Sequence, residues 1–410
     1  MEAMDIQAVE SKLSDVTVTA IPMNGKNNHK DLGHGGSSHT TISTVPASSP
    51  SSLGKDKDNG TSKYAAMSTW RTLHRWHTTY SADSVEWCPV EPYTDILVCG
   101  TYQLDKSDKD ATITKQKRLG RIYLFKINDE IDGLCPIQSI DTSGILDQKW
   151  CYHCIDGHPV LGIVTSDGSV QLYRLVDSNL ELWLEAVIGE NVLALSLDWS
   201  TNKYNSNTHV VVSDSGGNIT MWKVDASLQK VGEWKAHGFE AWIAAFNYWN
   251  TDVFYTGGDD CVLKCFDRRS PDTVLTNRSH EAGVTAIRSH VDVEYQMLTG
   301  SYDEKVRLWD MRQMKCCVTE EDVNGGVWRL KWHPYDKSII LAACMYGGFR
   351  LLQAEEKINI LYEYLEHESI AYGADWKFDN KELSMVATCS FYDCNLHLGE
   401  IKINDGLKGQ

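Results

Sequence analysis

The sequence predicts an all-β protein, a closed ring of seven four-stranded blades, from three observations. The first is repetition. Leu298-Thr299-Gly300-Ser301-Tyr302-Asp303-Glu304-Lys305-Val306-Arg307-Leu308-Trp309-Asp310 has a near copy at Tyr255 to Asp267, with Asp260 in place of Asp303 and Phe266 in place of Trp309. Further copies end at Trp222 and Tyr173, and another covers Ala342 to Gln353. Each is a short apolar strand, a tight Gly/Asp turn and an alternating strand closed by a large apolar residue. The second observation is a marker pair, a small or β-branched residue with an aromatic five positions later. It recurs as Ala82/Trp87, Ile145/Trp150, Ala194/Trp199, Ala241/Phe246, Val327/Trp332 and Ala371/Trp376. Val284 followed by Ser289 holds the same register but breaks the rule. The third is spacing: from Trp199 onward the markers recur at close to the ~40–45 residues of one WD-type blade. The reading is a seven-bladed WD40-type β-propeller.

Taken in order, the chain opens with residues 1–66, rich in Ser, Thr, Gly and Asn, as in Gly33-His34-Gly35-Gly36-Ser37-Ser38. Few apolar residues are present to bury, so a disordered low-complexity tail is expected there and one propeller domain over residues 67–402. Ring closure should pair a strand around Ser68–His77 with the last blade, because closure removes exposed strand edges. The wide gap between Trp87 and Trp150 holds Gln103 to Arg118, rich in Lys, Asp and Thr, which reads as an exposed loop between strands.

Composition narrows the function classes. The net charge of −17 disfavours nucleic acid as a partner and favours a basic or cationic one. No apolar run is long enough to span a bilayer, and the N-terminus has acidic residues and no apolar signal core. A cytoplasmic protein with nuclear access is expected. Twelve cysteines are scattered, and Cys151-Tyr152-His153-Cys154 lacks the second pair a structural zinc site needs, so no metal is expected. There is no nucleophile elbow, phosphate loop, zinc-protease helix or dinucleotide glycine pattern, and no cofactor is implied.

Several strings exceed what a generic blade needs. They include Ala236-His237-Gly238-Phe239-Glu240-Ala241-Trp242, Gly325-Gly326-Val327-Trp328-Arg329-Leu330-Lys331-Trp332, Tyr372-Gly373-Ala374-Asp375-Trp376 and Ala387-Thr388-Cys389-Ser390-Phe391-Tyr392-Asp393. With Leu195-Ser196-Leu197-Asp198-Trp199-Ser200, they resemble the diphthine methyl ester hydrolase family, WD-repeat proteins of diphthamide biosynthesis. The resemblance covers about Trp76 to Glu400. It implies an enzyme, a carboxylic ester hydrolase that removes a methyl ester from methylated diphthine on a histidine of elongation factor 2. One departure is His397-Leu398-Gly399, where the family has a closing Trp; looser packing of the last blade is expected there.

Candidate site residues follow from register. Glu240 immediately precedes an inner strand, which puts a carboxylate near the channel mouth. Trp242, Trp328 and Tyr372 share one position, the residue after the marker, in three blades. Aromatic rings around a mouth attract a quaternary ammonium by about 0.5–2 kcal/mol per contact, and diphthine, as the resemblance implies, carries one. His237 and Glu240 are candidate bases, Ser390 beside Asp393 a candidate nucleophile, and Arg329 a candidate oxyanion donor. Each also has a structural reading: His237 with Asp260 as a blade-fastening pair, Glu240 as a rim charge, the aromatics as inter-blade core. A competing function is a non-enzymatic scaffold, or a cullin ubiquitin-ligase receptor docking an adaptor through Trp309-Asp310-Met311-Arg312.

Overall fold

A computed structural model describes residues 68–105, 117–127, 134–201, 207–270 and 272–403. The chain divides into two units, Met1–Ala65 and Ala66–Gln410, and the description concerns the second. The tail expected over residues 1–66 lies outside the described residues, as does most of the expected loop between Gln103 and Arg118. The ends of that segment are not loop. Gln103 belongs to the strand Ile96–Leu104, and Arg118 opens the strand Arg118–Lys126, its side chain buried with Nε donating to the Tyr102 hydroxyl at 2.8 Å.

Seven four-stranded antiparallel sheets form the blades. Their inner strands are Ser81–Trp87, Ile145–Trp150, Ala194–Trp199, Ile243–Phe246, Val284–Ser289, Arg329–Trp332 and Ala371–Trp376, numbered here as blades 1 to 7. Blades 1 to 6 are consecutive in sequence. The outer strand of blade 7 is Thr69–His77, which pairs antiparallel with Asn395–Lys402, Trp70 opposite Ile401. That pairing closes the ring. The inner strands are buried almost throughout, while outer strands such as Leu228–Lys235 alternate between half-buried and exposed. Two faces covered by neighbouring blades, against one face open to water, account for the difference.

The marker residues sit in seams between blades, and their size is set by the blade before. A Cβ added to Gly100 would meet Ile145 Cγ2 at 2.9 Å, and one on Gly257 would meet Val284 Cγ1 at 2.6 Å; Gly300 faces Val327 in the same way. Where the marker is Ala, the residue in the glycine's place is larger: Val164 before Ala194, Ala343 before Ala371, Cys389 before Ala82, each pair buried in one cluster. Across these seams a glycine faces a β-branched marker and an alanine marker faces a residue that has a side chain, so the space is shared between the two blades, as close packing demands. The aromatic partners add a polar stitch. Trp150 Nε1 donates to the Glu86 carbonyl at 3.4 Å, Trp199 to Lys149 at 2.8 Å and Trp376 to Lys331 at 3.2 Å. Ser289, the exception in the sequence, keeps the stitch by donating its hydroxyl to the Phe246 carbonyl at 2.8 Å.

Gly399 does not loosen the last blade. The indole of Trp70 occupies the space beside it, Nε1 lying 2.7 Å from where a Cβ would stand. Trp70 stacks on Tyr364 with ring centres 4.4 Å apart. The aromatic missing from one strand is supplied by its neighbour.

Candidate functional site

In blades 1, 2, 3, 5 and 7 the pairing register shifts just after the marker, for example between Ala82 and Ser84 and between Ala371 and Gly373. A bulge places two successive residues against one and re-aims side chains. In blades 4 and 6 the same positions, Trp242 and Trp328, precede the inner strand. The residue after each marker forms an upper tier at the channel mouth: Asp83, Leu146, Leu195, Trp242, Thr285, Trp328 and Tyr372. Ring contacts confirm that this tier meets across the opening. Trp242 of blade 4 lies 5.9 Å from Trp328 of blade 6, and Trp328 lies 4.8 Å from Tyr372 of blade 7. Tyr302, from the turn of blade 5, lies 6.1 Å from Trp242 and 6.2 Å from Trp328. The arc continues from Tyr372 to Phe391 at 4.9 Å and from Phe391 to Tyr102 of blade 1 at 6.1 Å. Trp328 Nε1 is buried without a hydrogen-bond partner.

Below the mouth the channel is charged. Arg329 reaches from blade 6 to Asp147 of blade 2 at 2.9 Å, and Lys149 meets Asp147 at 2.6 Å. Lys331 pairs with Glu86 of blade 1 and with Asp375 of blade 7 at 3.3 Å. Arg288 donates to the hydroxyls of Tyr248 at 2.8 Å and Tyr152 at 2.6 Å and lies 3.8 Å from Asp198. Burial pushes the Glu86 carboxyl up to about 7, outweighing the attraction of Lys331, and raises Asp198 and Asp375 as well. Asp147 is held below its ordinary range: Arg329 and Lys149, with hydrogen bonds from Lys149 and the Leu197 amide, outweigh its burial. A small cavity of about 20 Å³, room for a single water, opens beside Trp328 and Arg329, with Lys149, Arg288 and Lys331 along its wall.

The remaining sequence candidates are placed less favourably for chemistry. His237 has no exposed side-chain surface. Its Nδ1 meets Asp260 at 2.9 Å and its Nε2 meets Thr256 Oγ1 at 2.8 Å. With both ring nitrogens occupied, it fastens its blade and is not a base for a mouth-bound water. Ser390 is fully buried. Its hydroxyl donates to Asp393 Oδ1 at 2.5 Å and meets His367 Nδ1 at 2.5 Å, while His367 Nε2 meets Thr388 Oγ1 at 2.9 Å. A serine nucleophile would hand its proton to the histidine; this one points it at the carboxylate, so Ser390 is a relay in blade 7's version of the same fastening. Burial, with His397 stacked 3.7 Å away, drives His367 well below its ordinary pKa. His367 was missed in the sequence because it lies 23 residues from Ser390. Glu240 is half-buried, its carbonyl accepting the Asp259 amide, and Asp259 rather than Glu240 accepts the Trp242 indole at 3.2 Å. Arg329 lines the cavity but is committed to Asp147.

Cys151 is buried and Cys154 exposed, and among the described residues no group of three or more His, Cys, Asp or Glu is arranged to hold a metal ion. In Trp309–Arg312, Trp309 is wholly buried. Arg312 is clamped to Asp310 at 2.6 Å, as Arg269 is to Asp267.

Comparison with known proteins assigns the family. The human diphthine methyltransferase is 42% identical over 331 residues, 73% of each chain. The mouse protein of that name is 43% identical, covering 80% of this chain and 73% of its own. A Dictyostelium discoideum homologue is 38% identical over 77% of this chain and 95% of its own. The chain belongs to the diphthine methyltransferase family. The family's name describes methyl transfer, and this overturns the expectation of methyl ester hydrolysis; the scaffold reading has less support than an enzyme of diphthamide biosynthesis. Residues 272–310 match the WD domain, G-beta repeat, and residues 1–68 match the family described as cyclin-dependent kinase 2-associated protein. Among solved structures, a chain of the mitotic checkpoint complex superposes with a TM-score of 0.62 at 14% identity, covering 87% of this chain and all of that one, a likeness of fold alone.

Proposed function

We propose that this chain acts on diphthine carried by elongation factor 2 and changes the methylation state of that residue, as the name of its relatives describes. The observation that supports the reading is the aromatic arc Trp242–Tyr302–Trp328–Tyr372 at the channel mouth. Diphthine carries a trimethylammonium group, and π faces attract such a cation by about 0.5–2 kcal/mol each, more once water is excluded. A basic partner protein also meets a chain of net charge −17 favourably. The roles follow from position. Trp242, Trp328 and Tyr372 hold the methylated cation, and Arg329 at the cavity wall orients its polar end.

The test is the intact mass of diphthine-bearing elongation factor 2, incubated with the chain in the presence of a sulfonium methyl donor. A chain-dependent change of one methyl supports the reading. An unchanged mass overturns it. Docking to a ubiquitin-ligase adaptor through Asp310 and Arg312 is a separate proposal, supported by their exposure at a blade edge; co-purification that survives in wild type and is lost in Arg312→Ala is its test.

A further inference from the structure

We propose that Asp83 is the negative partner of the methylated cation at the channel mouth, so that the binding site is one carboxylate closing an arc of aromatic rings. The inference rests on the reading above that diphthine is the substrate. Four observations carry it. Asp83 sits in blade 1 at the position that Trp242, Trp328 and Tyr372 hold in blades 4, 6 and 7. Of the seven residues in that tier it alone carries a charge; the others are Leu146, Leu195, Thr285 and the three aromatics. It is 2% exposed, and its Oδ2 has no hydrogen-bond partner. The two ends of the ring arc flank its strand: Tyr102 pairs opposite Ser81, and Gly373, next to Tyr372, lies against the inner strand of blade 1, where a Cβ would stand 2.9 Å from Ser84 Cα.

A buried carboxylate without a partner is costly, and native proteins seldom keep one without a use. Deeper in the channel every other inward carboxylate has a cation: Asp147 has Lys149 and Arg329, Glu86 and Asp375 share Lys331, and Asp198 has Arg288. Burial dominates and, with Asp147, outweighs the attraction of Arg329, leaving Asp83 well above the ordinary carboxylate range. A quaternary ammonium has no proton to donate. It needs only a π surface and a countercharge in a dry setting, which Oδ2 beside the arc provides. An ordinary ammonium could place one N–H on Oδ2 but would leave its others unsatisfied against the rings, which disfavours it.

The test uses choline, a trimethylammonium alcohol, and its uncharged isostere 3,3-dimethylbutan-1-ol, each titrated calorimetrically into the full chain at constant ionic strength. The expected result is choline binding at least tenfold tighter than the isostere, with that preference lost in Asp83→Asn. Equal binding of the two compounds to the wild-type chain, no choline binding, or a preference unchanged in Asp83→Asn each overturns the proposal. The isostere comparison needs no variant, so it stands even where Asp83→Asn does not fold. A competition arm separates the sources of cation. Diphthine-bearing elongation factor 2 should displace choline; displacement by S-adenosylmethionine instead assigns the site to a sulfonium donor and overturns it as a substrate site. The mass change described above is read separately. Charge-dependent choline binding with no mass change refutes the function and leaves the site, whereas a mass change without charge-dependent binding does the reverse.

Discussion

The upper and lower tiers of the channel are built from the same seven strands, a few residues apart, yet they are opposite in character. At the mouth Trp242 meets Trp328 and Trp328 meets Tyr372 across blades; within that seven-residue tier the single charge is Asp83, and Asp259 from the turn of blade 4 adds a carboxylate at the Trp242 indole. Below, Glu86, Lys149, Asp198, Arg288, Lys331 and Asp375 pair across the ring or with adjacent blades. The lower tier has its charges paired from within, while buried polar atoms without a partner occur at both depths, Trp328 Nε1 and Asp83 Oδ2 above and Ser84 Oγ and Gln148 Oε1 below. Depth in the channel thus separates two tasks, holding the blades in register and meeting a ligand.

Breaking the lower tier should cost the most stability. Lys331→Met strands the Glu86 and Asp375 carboxyls without their shared cation, and a loss of about 3–5 kcal/mol is expected from urea unfolding. A loss below about 1 kcal/mol would erase the distinction between the tiers. Next come the seams behind the channel. Gly257→Ala places a Cβ 2.6 Å from Val284 Cγ1 and should cost about 1–3 kcal/mol, with Val284→Ala in the same chain recovering part of it. Strict additivity in that double-mutant cycle would show that volume is not shared across the seam.

A smaller effect concerns pH. Glu86 holds its proton in the folded chain up to about pH 7 but loses it near the ordinary carboxylate range when unfolded. The folded state therefore binds more protons between those limits, and stability falls as pH rises through them. Glu86→Gln should flatten the denaturation midpoint measured from pH 5 to 7; an identical slope in both chains would assign the titration elsewhere. The smallest stability effect belongs to the mouth. Trp328→Leu keeps an apolar, though smaller, side chain and removes the ring contacts to Trp242 and Tyr372, worth about 1 kcal/mol. The proposed change of methylation on elongation factor 2 should nonetheless fall at least tenfold, and wild-type turnover would move the site off the mouth.

Much of this architecture is written in local sequence. Marker pairs and Gly/Asp turns are short-range signals, so blade number, inner strands and the shared position of Trp242, Trp328 and Tyr372 are readable from one chain. The closure strand was legible as well, because an unpaired edge is a general liability. What stayed hidden depends on pairs far apart in sequence. Asp83 occupies the same register as the aromatics but gains meaning only once the arc from Tyr372 to Tyr102 is seen to flank its strand and Arg329 to draw on its charge. Ser390 beside Asp393 looked like a nucleophile until His367 showed which way its proton points. His237 looked available until Thr256 took its second nitrogen. The activity itself was misjudged, since a resemblance places a chain in a pathway more readily than it fixes the reaction.

Trp70 filling the space beside Gly399 has a consequence for how the chain is made. Synthesis delivers Trp70 among the first residues of the ring and Gly399 among the last, and the neighbouring pair Arg71 and Glu400 is separated by 329 positions. Until the strand Asn395–Lys402 has been made, Thr69–His77 has nothing to pair with and the indole lacks one wall of its pocket. Six blades can stack as they emerge, but the ring acquires its last seam only when its two ends meet. A nascent chain stopped before that strand therefore leaves an open arc with an exposed tryptophan, a species for chaperones or proteases rather than a slightly shortened propeller.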